Sequence, residues 1–174
     1  MAALKVICKQ NSYDIIGLPK YHDDEALETV IGYCMDPAKT AKGLTGGFNV
    51  YVPQAAYEMR QLSWACGKDS GLRLRHWILS FSPQEAKRLG RRVYEELNKI
   101  AYYAAAYYQY EYQIIYAIHE DKQHPHIHFV QNTVSFRTGK KYDGSYADYF
   151  GYLKYLSTFL REQYGMTLDA VPDR

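Results

Sequence analysis

Four of the six histidines in this 174-residue chain lie within one ten-residue segment. Residues two apart on a β-strand face the same side of the sheet, so His126 and His128 are expected to point together, with Ile127 in the opposite layer. His119 ends the preceding apolar segment and is expected to face them across a hairpin, where neighbouring side chains lie about 5 Å apart. Imidazoles at that separation can share one metal ion through bonds of about 2.1 Å. The spacing therefore predicts a metal site with His119, His126 and His128 as ligands, and His124 is the alternative ligand.

This set of donors is typical of a catalytic ion. Three neutral imidazoles leave coordination positions open for a substrate, whereas a structural site is closed by four protein ligands. Asp121 is placed to hydrogen-bond the second nitrogen of a ligand and so fix its orientation. The competing interpretation is a fortuitous histidine-rich turn, which four histidines at this spacing on consecutive strands disfavour.

The elements that must position these histidines follow from apolar periodicity, caps and breakers. Segments 112–119 and 125–134 are β-branched, aromatic and apolar, and the short polar link between them predicts an antiparallel hairpin. Further strands are predicted at 4–9 and 77–81, and helices at 25–35, 53–65, 82–107 and 146–164. This mixed order, with the two best strands adjacent in sequence, predicts an α+β fold in which helices pack on an antiparallel sheet.

Three local signals refine these boundaries. Ser82, Pro83 and Glu85 predict a helix start with a capping box, and Gly90 is expected inside that helix at a cost of about 1 kcal/mol. The segment 40–49 holds three glycines and predicts a mobile loop. Gly165 is expected to stop the last helix.

Length and composition predict one domain over residues 1–174. No apolar run reaches the roughly 18 residues that a membrane span needs, and the N-terminus does not resemble a signal peptide, so we expect a cytoplasmic protein without membrane insertion. Cys8, Cys34 and Cys66 form no pair and are interpreted as buried free thiols.

The charge distribution is compatible with nucleic-acid binding but does not establish it. The formal net charge is only +2. Basic residues cluster at 68–76, 87–92 and 137–141, where solvated faces are the alternative interpretation. The chain also contains 19 tyrosines, a residue that suits stacking on unpaired bases as well as the edge of a core.

The tripeptide His126-Ile127-His128, following His119 and Asp121, resembles the defining motif of the HUH endonucleases. Within that superfamily, the pattern resembles the relaxases of conjugative plasmids and integrative elements, of the mobilization-nuclease type. The resemblance implies a ferredoxin- or RRM-like core and a bacterial cytoplasmic location. It also implies Mn²⁺ or Mg²⁺ as the cofactor, although the ligands alone would also accept zinc or nickel.

Two further stretches match weaker motifs of the family in the expected order. Residues 26–40 are similar to the N-terminal motif whose tyrosine is the nucleophile, here Tyr33. Residues 76–81 look like the motif whose serine, here Ser80, contacts DNA near the nick. Some relatives use a histidine as the nucleophile, so Tyr21 and His22 stay open as alternatives. The three motifs together cover residues 25 to 135.

The resemblance implies that the protein nicks single-stranded DNA at an origin of transfer and stays attached as a 5′-phosphotyrosine. Asp121 and His124 would assist catalysis, with His124 as the alternative metal ligand or as a hydrogen-bond donor to a DNA phosphate. Relaxosome accessory and coupling proteins are the expected partners. The predicted DNA contacts are His76, Ser80, Lys39, Thr40, Arg73, Arg75 and Asn132.

Three alternatives remain at this point. A rolling-circle replication initiator of the same superfamily would share the chemistry, although the first motif favours a relaxase. A non-catalytic, metal-stabilised DNA-binding module would not depend on Tyr33. A hydrolase that activates water would cut DNA without a covalent adduct.

Overall fold

The computed structural model describes residues 1–6, 24–41, 43–120 and 124–171, and these residues contain a six-stranded sheet. The spatial order is β2-β4-β5-β3-β1-β6, and every neighbouring pair is antiparallel except β1 and β6. The α+β fold with an antiparallel sheet is therefore confirmed. The strands are β1 (Ala2–Val6), β2 (Thr45–Phe48), β3 (Leu74–Ser80), β4 (Ile114–His119), β5 (His126–Asn132) and β6 (Leu168–Val171).

Helices cover both faces of this sheet. On one face, α1 and α2 bury Leu27 and Met59 against Ile115 of β4, and on the other face α4 and α5 bury a larger core around Trp77 and Phe129. The central strands are therefore buried on both sides, which explains their continuous apolar runs. None of the described helices is both long enough and apolar enough to cross a membrane. The helices are α1 (Asp24–Cys34), α2 (Ala55–Ala65), α3 (Pro83–Arg88), α4 (Val93–Ala106) and α5 (Tyr146–Tyr164).

The hairpin of β4 and β5 sets the position of the histidines. His119 pairs with His126, and Ala117 pairs with His128. On its other edge β5 pairs with β3, so that Ser80 lies opposite His126 and Ile78 opposite His128. The predicted antiparallel hairpin is confirmed, and its register places the three histidines on one face, below α1.

The predicted helix 82–107 is wrong in one respect, because it breaks at Gly90. The capping box of Ser82 and Glu85 forms as expected, but α3 ends at Arg88 and Gly90 takes a left-handed φ of 74°. A short 3-10 turn, Gly90–Arg92, then leads into α4. Gly90 therefore takes the left-handed conformation that often follows a helix end, where glycine has no Cβ penalty, and does not lie in a helix interior.

The predicted mobile loop over 40–49 is also wrong, because residues 45–48 form β2 against β4. A Cβ on Gly46 would lie 2.4 Å from the Tyr116 ring, and a Cβ on Gly47 would lie 2.5 Å from the Ile114 carbonyl oxygen. The glycines therefore mark a close approach between strands, which sequence reasoning mistook for flexibility.

Other boundaries differ less. β3 begins at Leu74, three residues earlier than predicted, and β6 was not predicted. The last helix matches the prediction, with Gly165 left-handed at its end. Of the predicted strand 4–9, only the first residues lie within the described part of the chain.

We predict that Gly47→Ala destabilises the protein, because the added methyl group meets a backbone oxygen that a side-chain rotation cannot move. Overpacking of this kind costs about 1–3 kcal/mol. The matched control is Gly32→Ala in α1, where nothing lies within 4 Å of the new Cβ, and which should stabilise the helix by roughly 0.5–1 kcal/mol. Chemical denaturation of both variants checks the two signs, and equal stability of the variants would contradict the pairing of β2 with β4.

Candidate active site

The structure brings His119, His126 and His128 together. One ring nitrogen from each lies within 4.8 Å of the others, and all three side chains are buried. The centroids of the His119 and His128 rings are 4.2 Å apart, and the His126 ring lies 5.1 and 5.0 Å from them. With small shifts of the rings, this spacing allows all three histidines to bind one ion through bonds of about 2.1 Å.

Backbone carbonyls fix which nitrogen of two of these rings faces the centre. His119 Nε2 lies 2.8 Å from the carbonyl oxygen of Cys34, and His126 Nδ1 lies 3.0 Å from that of His124. A carbonyl oxygen only accepts, so both nitrogens carry the hydrogen. The opposite nitrogens, His119 Nδ1 and His126 Nε2, therefore carry the lone pairs that a metal needs.

His76 orients the third ring. Its Nε2 lies 2.8 Å from His128 Nδ1, and the two rings stack with centroids 5.1 Å apart. Burial lowers the pKa of His76 to about 3, with a smaller electrostatic contribution from neighbouring His119, so the His76 ring is neutral. When His128 Nδ1 donates to His76, His128 Nε2 is left as the candidate metal ligand. His76 was predicted to contact DNA, but it lies buried beneath His128.

Tyr33 lies beside the histidines at the C-terminal end of α1. Its ring centroid is 5.7 Å from that of His119 and 5.6 Å from that of His128, and the side chain is half-buried. The Nζ atom of Lys39 lies 3.5 Å from the Tyr33 centroid, on the face of the ring. The carbonyl of the next residue, Cys34, accepts the hydrogen bond from His119, and this backbone contact holds Tyr33 next to the histidine cluster.

The turn after α1 holds Lys39 in place. Asp36 accepts a hydrogen bond from the Ala38 amide, and the Lys39 carbonyl accepts one from the Glu120 amide just beyond β4. Thr40 is also buried here, and its hydroxyl has no hydrogen-bond partner among the described residues. The turn therefore places the Lys39 cation over the tyrosine ring, whereas the Thr40 hydroxyl, which was predicted to contact DNA, is buried.

The other residues predicted to contact DNA lie in different parts of the sheet. Ser80 is half-buried and lies opposite His126, close to the cluster. Arg75 lies on the opposite face of the sheet, where it donates to Gln131 at 2.8 Å and its guanidinium sits 3.8 Å from the Tyr142 ring.

Asn132 and Arg73 are also held by contacts within the protein. Asn132 is fully buried at the far end of β5 and donates to the Met59 carbonyl and to Gln113. Arg73 is buried and donates to the Lys68 carbonyl. The structure thus does not bring Arg73, Arg75 and Asn132 to the histidine cluster.

Of the remaining predicted site residues, His124 contacts the cluster only through its backbone carbonyl, and its side chain is exposed. Asp121, Tyr21, His22 and Cys8 lie outside the described residues. Cys34 was interpreted as a buried thiol, and it is buried, but its Sγ atom also lies 3.8 Å from His76 Nε2. The signal that could have found it is its position directly after Tyr33 in the first motif.

A family model for the relaxase nuclease domain of MobA/VirD2-like type matches residues 33–166. The chain therefore belongs to the relaxase nuclease-domain family. Two curated proteins, both called "Protein rlx" and both from Staphylococcus aureus, are 29% identical to it over 126 residues. Each match covers 72% of this chain but only 36% or 37% of the relative, so the chain spans little more than a third of their length. No solved structure gives a significant match.

We predict that His126→Ala weakens Mn²⁺ binding by roughly tenfold or more, because it removes one nitrogen donor. The matched control is His124→Ala, which keeps the backbone carbonyl that orients His126 and should bind Mn²⁺ as the parent protein does. Electron paramagnetic resonance of free Mn²⁺ measures both affinities. A large loss in His124→Ala would instead identify His124 as a ligand.

Proposed function

We propose that this domain nicks single-stranded DNA at an origin of transfer, using Tyr33 as the nucleophile and a divalent ion held by His119, His126 and His128. The observation that carries the proposal is the contact of the Tyr33 ring with two of these three histidines. Family membership supports the reaction class, since relaxases nick DNA. The chain spans only slightly more than a third of the length of its curated relatives, so the activity and partners of the whole protein belong to this proposal.

The residues present fit such an ion. Three neutral nitrogen donors converge within 4.8 Å, and hydrogen bonds to backbone carbonyls set the tautomers of two of them. Of the two expected ions, Mn²⁺ suits this set better, because Mg²⁺ prefers oxygen ligands. When bound, the ion withdraws charge from the non-bridging oxygens of the scissile phosphate and orients the phosphorus.

The transesterification exchanges one phosphodiester for another. The Tyr33 oxygen bonds to phosphorus while the bond to the 3′ oxygen breaks, which leaves a 3′-hydroxyl and a 5′-phosphotyrosine. An ordinary phenol has a pKa of about 10, so the attacking oxygen needs help in losing its proton. Lys39 supplies part of that help, because an ammonium over the ring stabilises the negative charge that develops on the phenolate. Because one phosphodiester replaces another, the free energy of the reaction is close to zero, and the same site can also rejoin strands.

DNA binding completes the proposal. Lys39, which lies over the Tyr33 ring, and Ser80, which lies opposite His126, are the candidate contacts to the strand beside the nick. Exposed aromatic side chains offer surfaces on which unpaired bases can stack, notably Tyr51 and Tyr57. Relaxosome accessory and coupling proteins, and a bacterial cytoplasmic location, remain predictions from the family resemblance.

The competing functions separate clearly from this one. A replication initiator would use the same chemistry at an origin of replication, and the family match favours the relaxase. A hydrolase would produce no adduct, and a binding module would not cut DNA at all.

We predict that Tyr33→Phe abolishes the covalent adduct while Mn²⁺ binding is retained, because only the hydroxyl is removed. The assay uses single-stranded oligonucleotides that tile the DNA flanking the coding sequence, labelled at the 3′ end and resolved on a denaturing gel. The adduct should retain the 3′ label and should disappear with EDTA.

The matched control is Tyr57→Phe, which removes a hydroxyl from an exposed ring on α2 and should leave the adduct unchanged. An adduct that persists in Tyr33→Phe would assign the nucleophile to another residue. Cleavage without any adduct would favour the hydrolase.

We predict that Lys39→Gln slows adduct formation about tenfold, which corresponds to about 1.4 kcal/mol in the barrier. The variant loses the cation over the Tyr33 ring but keeps a side chain of similar length. Lys154→Gln removes the same charge from an exposed position on α5 and serves as the control. Single-turnover rates at saturating DNA separate this effect from weaker binding, and equal rates for the two variants would exclude the role of Lys39 in the chemical step.

A further inference from the structure

A second set of metal-ligating side chains lies directly beneath the proposed centre. Cys34 Sγ, His76 Nε2 and a nitrogen of His128 lie within 4.8 Å of one another, and all three residues are buried. We propose that this set, the Cys34 site, binds a soft monovalent cation, Cu⁺, and that this binding excludes the divalent ion from His128.

The distances are close to those of a three-coordinate centre. Cys34 Sγ lies 3.8 Å from His76 Nε2, and His76 Nε2 lies 2.8 Å from His128 Nδ1. Two nitrogens bound to one metal at about 2.0 Å are roughly 3.4 Å apart, so the two rings need to separate by less than about 1 Å. An ion would thus replace the hydrogen that the two imidazoles now share.

Charge and softness select the ion. A thiolate and two imidazoles are donors that favour Cu⁺, which accepts few ligands and needs no fourth one. Cu⁺ bound to one thiolate forms a neutral unit, whereas a divalent ion would leave a net positive charge among buried groups.

His128 makes the two sites mutually exclusive. Its Nδ1 faces His76, and its Nε2 is the nitrogen left for the divalent ion. A neutral imidazole that binds Cu⁺ through Nδ1 carries its hydrogen on Nε2 and cannot donate a lone pair there. Copper would therefore hold the domain in a state that does not bind Mn²⁺. The consequence for nicking rests on the proposed function, but copper binding itself does not.

The test is an anaerobic titration of the purified chain with Cu⁺ in competition with bathocuproine disulfonate, without DNA. We expect one Cu⁺ per chain, and Cys34→Ser should weaken the affinity by roughly tenfold or more. The control is Cys66→Ser, a cysteine outside the set, and X-ray absorption should show one sulfur and two nitrogen neighbours. If the copper affinity does not change when Cys34 is replaced, the Cys34 site is wrong. A second variant, Cys34→Ala, and circular dichroism of both variants show whether a loss of affinity comes from misfolding.

The second measurement follows Mn²⁺ by electron paramagnetic resonance while Cu⁺ is added. Release of one Mn²⁺ per Cu⁺ in the parent protein, and no release in Cys34→Ser, is the expected result. If both ions remain bound together, exclusion through His128 is wrong. If copper binds as expected but the protein does not nick DNA, the proposed function is wrong and the Cys34 site stands.

Discussion

The hydrogen bond from His119 to the Cys34 carbonyl joins the two halves of the candidate site. His119 belongs to the hairpin that supplies the proposed metal ligands, and Cys34 ends the helix that carries Tyr33. The bond is 2.8 Å long and buried, so its loss would leave a polar group unsatisfied in the core. It also sets the tautomer of His119, which means that one contact positions both the proposed nucleophile and a proposed metal ligand.

Each imidazole of the cluster is oriented by a separate partner. Backbone carbonyls hold His119 and His126, and His76 holds His128. Buried histidines are costly unless they are hydrogen-bonded, and here those bonds also point the lone pairs at a common centre. The sheet makes this arrangement rigid, because β5 is paired on both edges along the segment that carries His126 and His128. The hydrogen bonds and the paired strand together fix the orientation of the three imidazoles.

The sequence predicted the parts of the site that depend on local spacing. The alternation of His126 and His128 and the position of His119 at the hairpin end followed from strand geometry. The last helix, α5, followed from helical periodicity, with Gly165 as its stop. The predictions that were wrong concern residues whose structure depends on contacts between segments distant in sequence. Gly46 and Gly47 looked like a loop because their need for close approach comes from β4, some seventy residues later. The buried roles of Arg75 and Asn132, and the contact of Cys34 with His76, were invisible for the same reason.

Identification of the residue that carries DNA tests the central claim, that Tyr33 reacts beside the three histidines, most directly. Trypsin should release residues 21–39 as one peptide from a nuclease-digested adduct, and this peptide contains Tyr21, His22 and Tyr33. Tandem mass spectrometry then locates the remaining nucleotide within it. We expect a nucleotide joined through its 5′ phosphate to the Tyr33 oxygen. A phosphonucleotide on Tyr21, His22 or any residue outside this peptide would contradict it.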